Sequence, residues 1–285
     1  MDEVRHRSRS TMSDFPEGAP CWVDAMFTDV EGAKEFYADV LGWTFGDASS
    51  EYGNYTQAYS GGKAVAAVVP PMPGGEAASQ WCLYFASPDA AATAEKIKSA
   101  GGELVMEPMQ VGTFGTMAIA KEPSGAVFGV WQPGEHKGFE KLGEAGAYAW
   151  AEVFSREPGK ADGFLEKVFP YESQQMESGS ADCDDPDAAG MDFKIFSLGG
   201  KENPVLGRMK MGDDFPPEIP SYIQVYFGVP DCDEAVAKTQ ARGGRLHFGP
   251  MDSPFGRFAA VTDPQGAAFA VIDMSTTAGE MPKFG

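Results

Sequence analysis

The sequence predicts an α+β protein made of four βαβββ modules, and three observations carry that prediction. The chain repeats itself: "QWCLYFASPDAAATAEKIKSAGGELVMEPM" from Gln80 is echoed by "SYIQVYFGVPDCDEAVAKTQARGGRLHFGPM" from Ser221. Tyr84-Phe85 answers Tyr226-Phe227, and Gly101-Gly102 answers Gly243-Gly244. "CWVDAMFTD" from Cys21 likewise has a near-copy, "AWAEVFSRE", from Ala149. Finally, each half contains two helix signals, each preceded by a strand-like run and followed by two or three more. The repeat period is far longer than that of a solenoid.

The elements follow in order. Asp29 is a plausible N-cap for "VEGAKEFYADVL", whose Ala33, Phe36, Tyr37 and Val40 form one apolar stripe before Gly42 stops the helix. Asp89 starts a second helix closed by Gly101. In the second half Pro158 suits a first helical position, with Ala161, Phe164, Leu165 and Val168 as the stripe. Asp231 or Asp233 opens the fourth helix, ended by Gly243. The expected organisation is a disordered tail over 1–18, a first half over 19–131, a polar linker over 132–146, a second half over 147–275 and a tail over 276–285.

At 285 residues the chain has room for two domains, each able to bury its own core. The formal net charge of −20 argues against nucleic acid or an anionic membrane as partner. No apolar run approaches a membrane span, and the start "MDEVRHRSRSTMSDF" lacks the apolar core of a secretory signal. The four cysteines, Cys21, Cys82, Cys183 and Cys232, form no CxxC pair and read as thiols in a reducing cytoplasm. Of three histidines, His6 falls in the tail, His136 in the linker and His247 after a Gly-Gly turn.

"DVEGAKEFYADVLGW" (Asp29 to Trp43) and the turns "EPSGAVFGVW" and "DPQGAAFAVI" resemble the vicinal oxygen chelate superfamily of glyoxalases, bleomycin-resistance proteins and extradiol dioxygenases. The resemblance spans about residues 19 to 275 and implies two barrel-like clefts of curved sheet. Modules can pair within each half or across halves, and the sequence leaves both open. Such a fold hosts lyases, dioxygenases and pure binders.

Metal-dependent members carry a ligand near the start of each module's first strand and a glutamate in its last. Here the first position becomes Trp22, Cys82, Trp150 and Gln224, and the glutamate becomes Gly129 and Ala270. No metal and no other cofactor is therefore expected. The resemblance is to the metal-free, four-module actinobacterial type, which implies a planar hydrophobic ligand such as an aromatic polyketide.

Alternate strand residues share a face, so Trp22 with Asp24, and Trp150 with Glu152, can line a cleft together. Aromatic faces stack on flat ligands, and a few polar groups fix their edges. The candidate ligand-binding residues are Trp22, Asp24, Gln57, Tyr84, Phe114, Trp150, Glu152, Gln224, Tyr226 and Phe255. A tryptophan on a strand is more often core than ligand platform, the tyrosines can simply pack, and an acid on a strand more commonly faces outward or pairs with arginine. Phe114 and Phe255 lie beside glycines in "VGTFGTM" and "DSPFGRF", which also read as tight turns. The acidic "SADCDDPDAAG" from Ser180 reads as a solvated loop without the spacing of a calcium site.

Two functions are compatible with this sequence. One is a monomeric, metal-independent binding protein for a planar aromatic natural product, acting in self-resistance or beside a tailoring oxygenase. The other is an enzyme: a glyoxalase-like lyase or isomerase, or a cofactor-free catalyst with Asp24 or Glu152 as base.

Overall fold

Strand and helix alternate as the repeats require, and each half closes into one curved eight-stranded sheet. The computed structural model describes residues 15–71, 79–177 and 191–285. The acidic stretch 180–190, Cys183 and residues 1–14 of the expected tail lie outside them.

In the first half, β1 (Pro20–Met26) leads into α1 (Val30–Leu41), then β2 (Thr44–Phe45), β3 (Thr56–Ser60) and β4 (Lys63–Val69). A second module repeats this with β5 (Trp81–Ala86), α2 (Ala90–Ser99), β6 (Glu103–Val111), β7 (Gly115–Lys121) and β8 (Val127–Pro133). The second half follows with β9 (Tyr148–Ser155), α3 (Pro158–Val168), β10 (Glu172–Gln175), β11 (Phe193–Ser197) and β12 (Pro204–Lys210). It ends with β13 (Tyr222–Gly228), α4 (Cys232–Ala241), β14 (Arg245–Met251), β15 (Arg257–Thr262) and β16 (Ala268–Asp273).

The sheet orders are β2-β3-β4-β1-β5-β8-β7-β6 and β10-β11-β12-β9-β13-β16-β15-β14. Modules thus pair within each half, through the antiparallel contacts of β1 with β5 and β9 with β13.

Local chemistry explains the helices. Asp29 accepts from the Gly32 N–H at 2.9 Å, and Gly42 takes φ 71°, the left-handed conformation that ends a helix. Asp89 and Asp231 cap the second and fourth helices in the same way. Pro158 opens the third, and the four stripe residues read from its sequence are all buried.

Those stripes pack into a core shared by both halves, where chain length had allowed two separate ones. Phe36 meets Phe269, Trp43 and Trp81 meet Phe227, and Phe128 meets Phe164. The Tyr37 hydroxyl donates to Asp263 at 2.8 Å across the same seam.

Two segments assigned to tails are docked. Glu17 pairs with Lys96 at 2.8 Å, and the Gly18 N–H donates to the Ala86 carbonyl. At the other end, Phe284 bridges to Met176 beside β10. Among the described residues no helix is long and apolar enough to cross a membrane.

Candidate functional site

The convex faces of the sheets hold the core, and alternation sends the other residues of β1 and β9 to the concave faces. Val23, Ala25 and Phe27 pack inward, which leaves Trp22 and Asp24 on the opposite face. A bulge precedes each tryptophan: Pro20 pairs with Phe85 and Trp22 with Tyr84, just as Tyr148 pairs with Phe227 and Trp150 with Tyr226. The extra residues are Cys21 and Ala149, so both halves turn their tryptophan by the same local device.

Register then assembles two matched clusters. In the first cleft Asp24 lies opposite Cys82, and Tyr84 lies beside Gly129. In the second Glu152 lies opposite Gln224, and Tyr226 lies beside Ala270. Eight of the ten residues singled out from sequence occupy these faces: Trp22, Asp24, Gln57 and Tyr84 in the first, and Trp150, Glu152, Gln224 and Tyr226 in the second. Phe114 and Phe255 sit apart, at the tips of the β6–β7 and β14–β15 turns, and both are exposed.

The polar wiring differs between clefts. The Trp22 indole N–H donates to the Tyr55 hydroxyl at 2.7 Å, and Tyr55 and Tyr84 both donate to Asp24 Oδ2, at 3.3 and 3.1 Å. Gln57 accepts from Tyr59 at 2.8 Å. In the second cleft the Trp150 indole N–H donates to Glu152 Oε1 at 3.2 Å, and Tyr226 donates to Oε2 at 2.9 Å. Gln224 is buried, and its Nε2 has no hydrogen-bond partner.

Burial governs the acids. It pushes both the Asp24 and the Glu152 carboxyl up to about 7, against the pull of their tyrosine and tryptophan donors. Each carboxyl is therefore poised between neutral and charged near pH 7. Burial and the neighbouring Asp24 charge also hold the Cys82 thiol well above its ordinary range.

Sequence reasoning missed Tyr55, which ties Trp22 to Asp24, because no motif marks a tyrosine just ahead of a short strand. It also left His136 in a polar linker. The linker instead folds back so that His136 packs edge-on against Trp22, with ring centroids 4.4 Å apart, and beside Trp131. Burial lowers this imidazole to about 4, which keeps it neutral.

These residues do not fit a metal. The indoles of Trp22 and Trp150 offer no lone pair, and both N–H groups are already donating. Cys82 is held as a thiol. A side chain at Gly129 would run into the Tyr84 ring, so the place of the superfamily's last-strand glutamate is sterically filled. Ala270 offers only a methyl. Among the described residues no three His, Cys, Asp or Glu gather as a metal site.

The family profile described as Glyoxalase/Bleomycin resistance protein/Dioxygenase superfamily matches residues 22–130. The "Putative glyoxylase CFP32" of Mycobacterium tuberculosis is 35% identical over 265 residues, covering 91% of this chain and 96% of that protein. The anthracycline biosynthesis protein DnrV of Streptomyces peucetius is 33% identical, covering 92% and 96%. Among solved structures, the Mn(II)-bound glyoxalase of Novosphingobium aromaticivorans superposes with a TM-score of 0.59 at 14% identity, over 93% of this chain and 86% of that one. That likeness is one of fold. The repeated modules, the paired sheets and the full-length relatives agree, and the chain belongs to the glyoxalase/bleomycin resistance/dioxygenase superfamily.

Proposed function

We propose that the protein is a metal-independent binding protein for a planar, hydrophobic aromatic natural product, acting in antibiotic self-resistance or as accessory to a tailoring oxygenase. The observation that carries this reading is the repeated trio of tryptophan, carboxyl and tyrosine on each concave face, in which each tryptophan holds a position where metal-dependent members of the superfamily carry a ligand. An aromatic wall with one polar anchor suits a flat ring system with a polar edge. Relatives named for anthracycline biosynthesis supply a ligand class of that shape.

Tryptophan fluorescence titration with an anthracycline tests it. Saturable quenching that a chelator leaves unchanged supports the reading, and absence of quenching overturns it.

One observation favours a second reading. A carboxyl that titrates near 7 is tuned for proton transfer, so Asp24 or Glu152 acting as a cofactor-free general base is the enzymatic alternative. Consumption of the bound compound, lost in Asp24→Asn or Glu152→Gln, would favour it. A glyoxalase-type lyase or isomerase would instead show methylglyoxal-dependent turnover that added metal restores after chelation.

A further inference from the structure

The two concave faces are unequal in what they leave unsatisfied. In the first, Trp22 donates to Tyr55, and both tyrosines donate to Asp24. Trp22 is only 3% exposed and joins the main core through Phe139 of the linker. Tyr52, between β2 and β3, meets Phe114 of the β6–β7 turn with ring centroids 5.2 Å apart, so opposite edges of the first sheet touch. His136 keeps an unpartnered Nε2 on a ring packed edge-on against Trp22 and beside Trp131, both of them main-core residues.

The second face is wired differently. Gln224 is 4% exposed and its amide nitrogen finds no acceptor. Its cross-strand neighbour Glu152 accepts from Trp150 and Tyr226 instead. A buried donor without a partner carries its full desolvation penalty, a cost that a bound acceptor removes. Around it Tyr226, Ala270 and Ile272, with half-buried Trp150, Phe258 and Met274, form an apolar cluster separate from the main core. Phe248, exposed, extends this wall beside Phe258.

We infer that the second cleft is the one that takes the ligand, and that Gln224 donates from its side-chain amide to a ring carbonyl oxygen of that ligand. The inference rests on the aromatic-ligand reading above and adds the cleft and the ligand's chemistry: a flat polycycle bearing a quinone or aryl-ketone oxygen. Cys82 at the matching first-cleft position is a poor donor, so the first cleft lacks this feature.

Binding of 2-aminoanthraquinone and 2-aminoanthracene, matched in outline and differing in ring carbonyls, is measured by calorimetry and fluorescence quenching. The expected result is one site per chain and a roughly tenfold preference for the quinone. Gln224→Leu should erase that preference, leave the anthracene unchanged and keep Tm equal or higher. Trp150→Leu should weaken both compounds. Equal affinity for the two probes, a preference that survives Gln224→Leu, or undiminished binding of both compounds in Trp150→Leu would each overturn the inference and leave the aromatic-ligand reading standing. Binding of neither probe overturns both. The probe pair tests the carbonyl in the unaltered protein, so the outcome does not depend on a variant folding.

Discussion

The two clefts began as copies, and the residues that still match differ in use from those that do not. Both keep a bulge before a tryptophan, an acid two residues on and a tyrosine across the strand. In the first cleft these groups are linked through Tyr55, and Trp22 packs against His136 and Phe139 of the returning linker, so the site behaves as an extension of the core. In the second, the tryptophan is half-buried and a glutamine amide is left without a partner. Duplication preserved the scaffold while the polar wiring diverged, because backbone register is set by the whole sheet but a single side chain can retire or free a donor.

The convex faces diverged too. By register, Val68 in β4 and Arg208 in β12 occupy matching positions, paired with Ala25 and Val153. Val68 is plain core, whereas buried Arg208 binds Asp162 at 2.8 Å and Asp192 at 2.7 Å.

The comparison can be tested from its largest expected effect downward. Both acids have folded pKa values near 7, above the roughly 4 of an unfolded carboxyl, so the folded state binds the extra protons between those values. Stability from this source is fully present below about pH 4 and is lost as pH rises through 7, by on the order of 2–4 kcal/mol per carboxyl. Denaturant melts from pH 4 to 8 should show that fall, and Asp24→Asn with Glu152→Gln should flatten it. A flat wild-type profile would remove the claim that burial raises both carboxyls.

Arg208→Ala should cost about 2–4 kcal/mol, because it empties a buried guanidinium site and takes a cationic partner from both Asp162 and Asp192, although Lys194 still pairs with Asp162 at 3.1 Å, while Val68→Ala should cost about 1–2 kcal/mol. Similar melting losses for the two would deny that the ion pair distinguishes the halves.

Trp22→Ala should destabilise by about 3–5 kcal/mol and Trp150→Ala by about half as much, since only the first is sealed within the core. The reverse order would mean that the clefts have been assigned the wrong roles.

Smallest is the pair beneath the tyrosines. Gly129→Ala should cost about 1–3 kcal/mol by driving a methyl into the Tyr84 ring, whereas Ala270→Gly should cost only about 1 kcal/mol. A harmless Gly129→Ala would show that the Tyr84 ring moves aside freely.

Much of this architecture was legible. Aspartate caps and stopping glycines marked the first, second and fourth helices, and a leading proline with an apolar stripe marked the third, because these signals act within a few residues of one another. Trp22 and Trp150 were found because repeats align and because each departs from a ligand pattern. Tyr55 and His136 were not, since each reaches its partner only through folding: Tyr55 by strand pairing, His136 by the return of the linker across β1. The fates of the ten candidates divide on the same line. Those on strands were placed by alternation, whereas Phe114 and Phe255, on turns, have no period to fix their direction.

By itself the sequence determined the modules, the duplication and the absence of metal-ligand chemistry at the expected positions, all of which are local in pattern or visible by alignment of the halves. Only the tertiary structure decided that modules pair within halves, that one core serves both, and that the two clefts are wired differently. Those outcomes depend on which donor meets which acceptor across distant segments, such as Trp22 with Tyr55 and Glu152 with Tyr226, and on Gln224 meeting none. Repeated sequence specifies repeated backbone, but the pairing of side chains is settled in space.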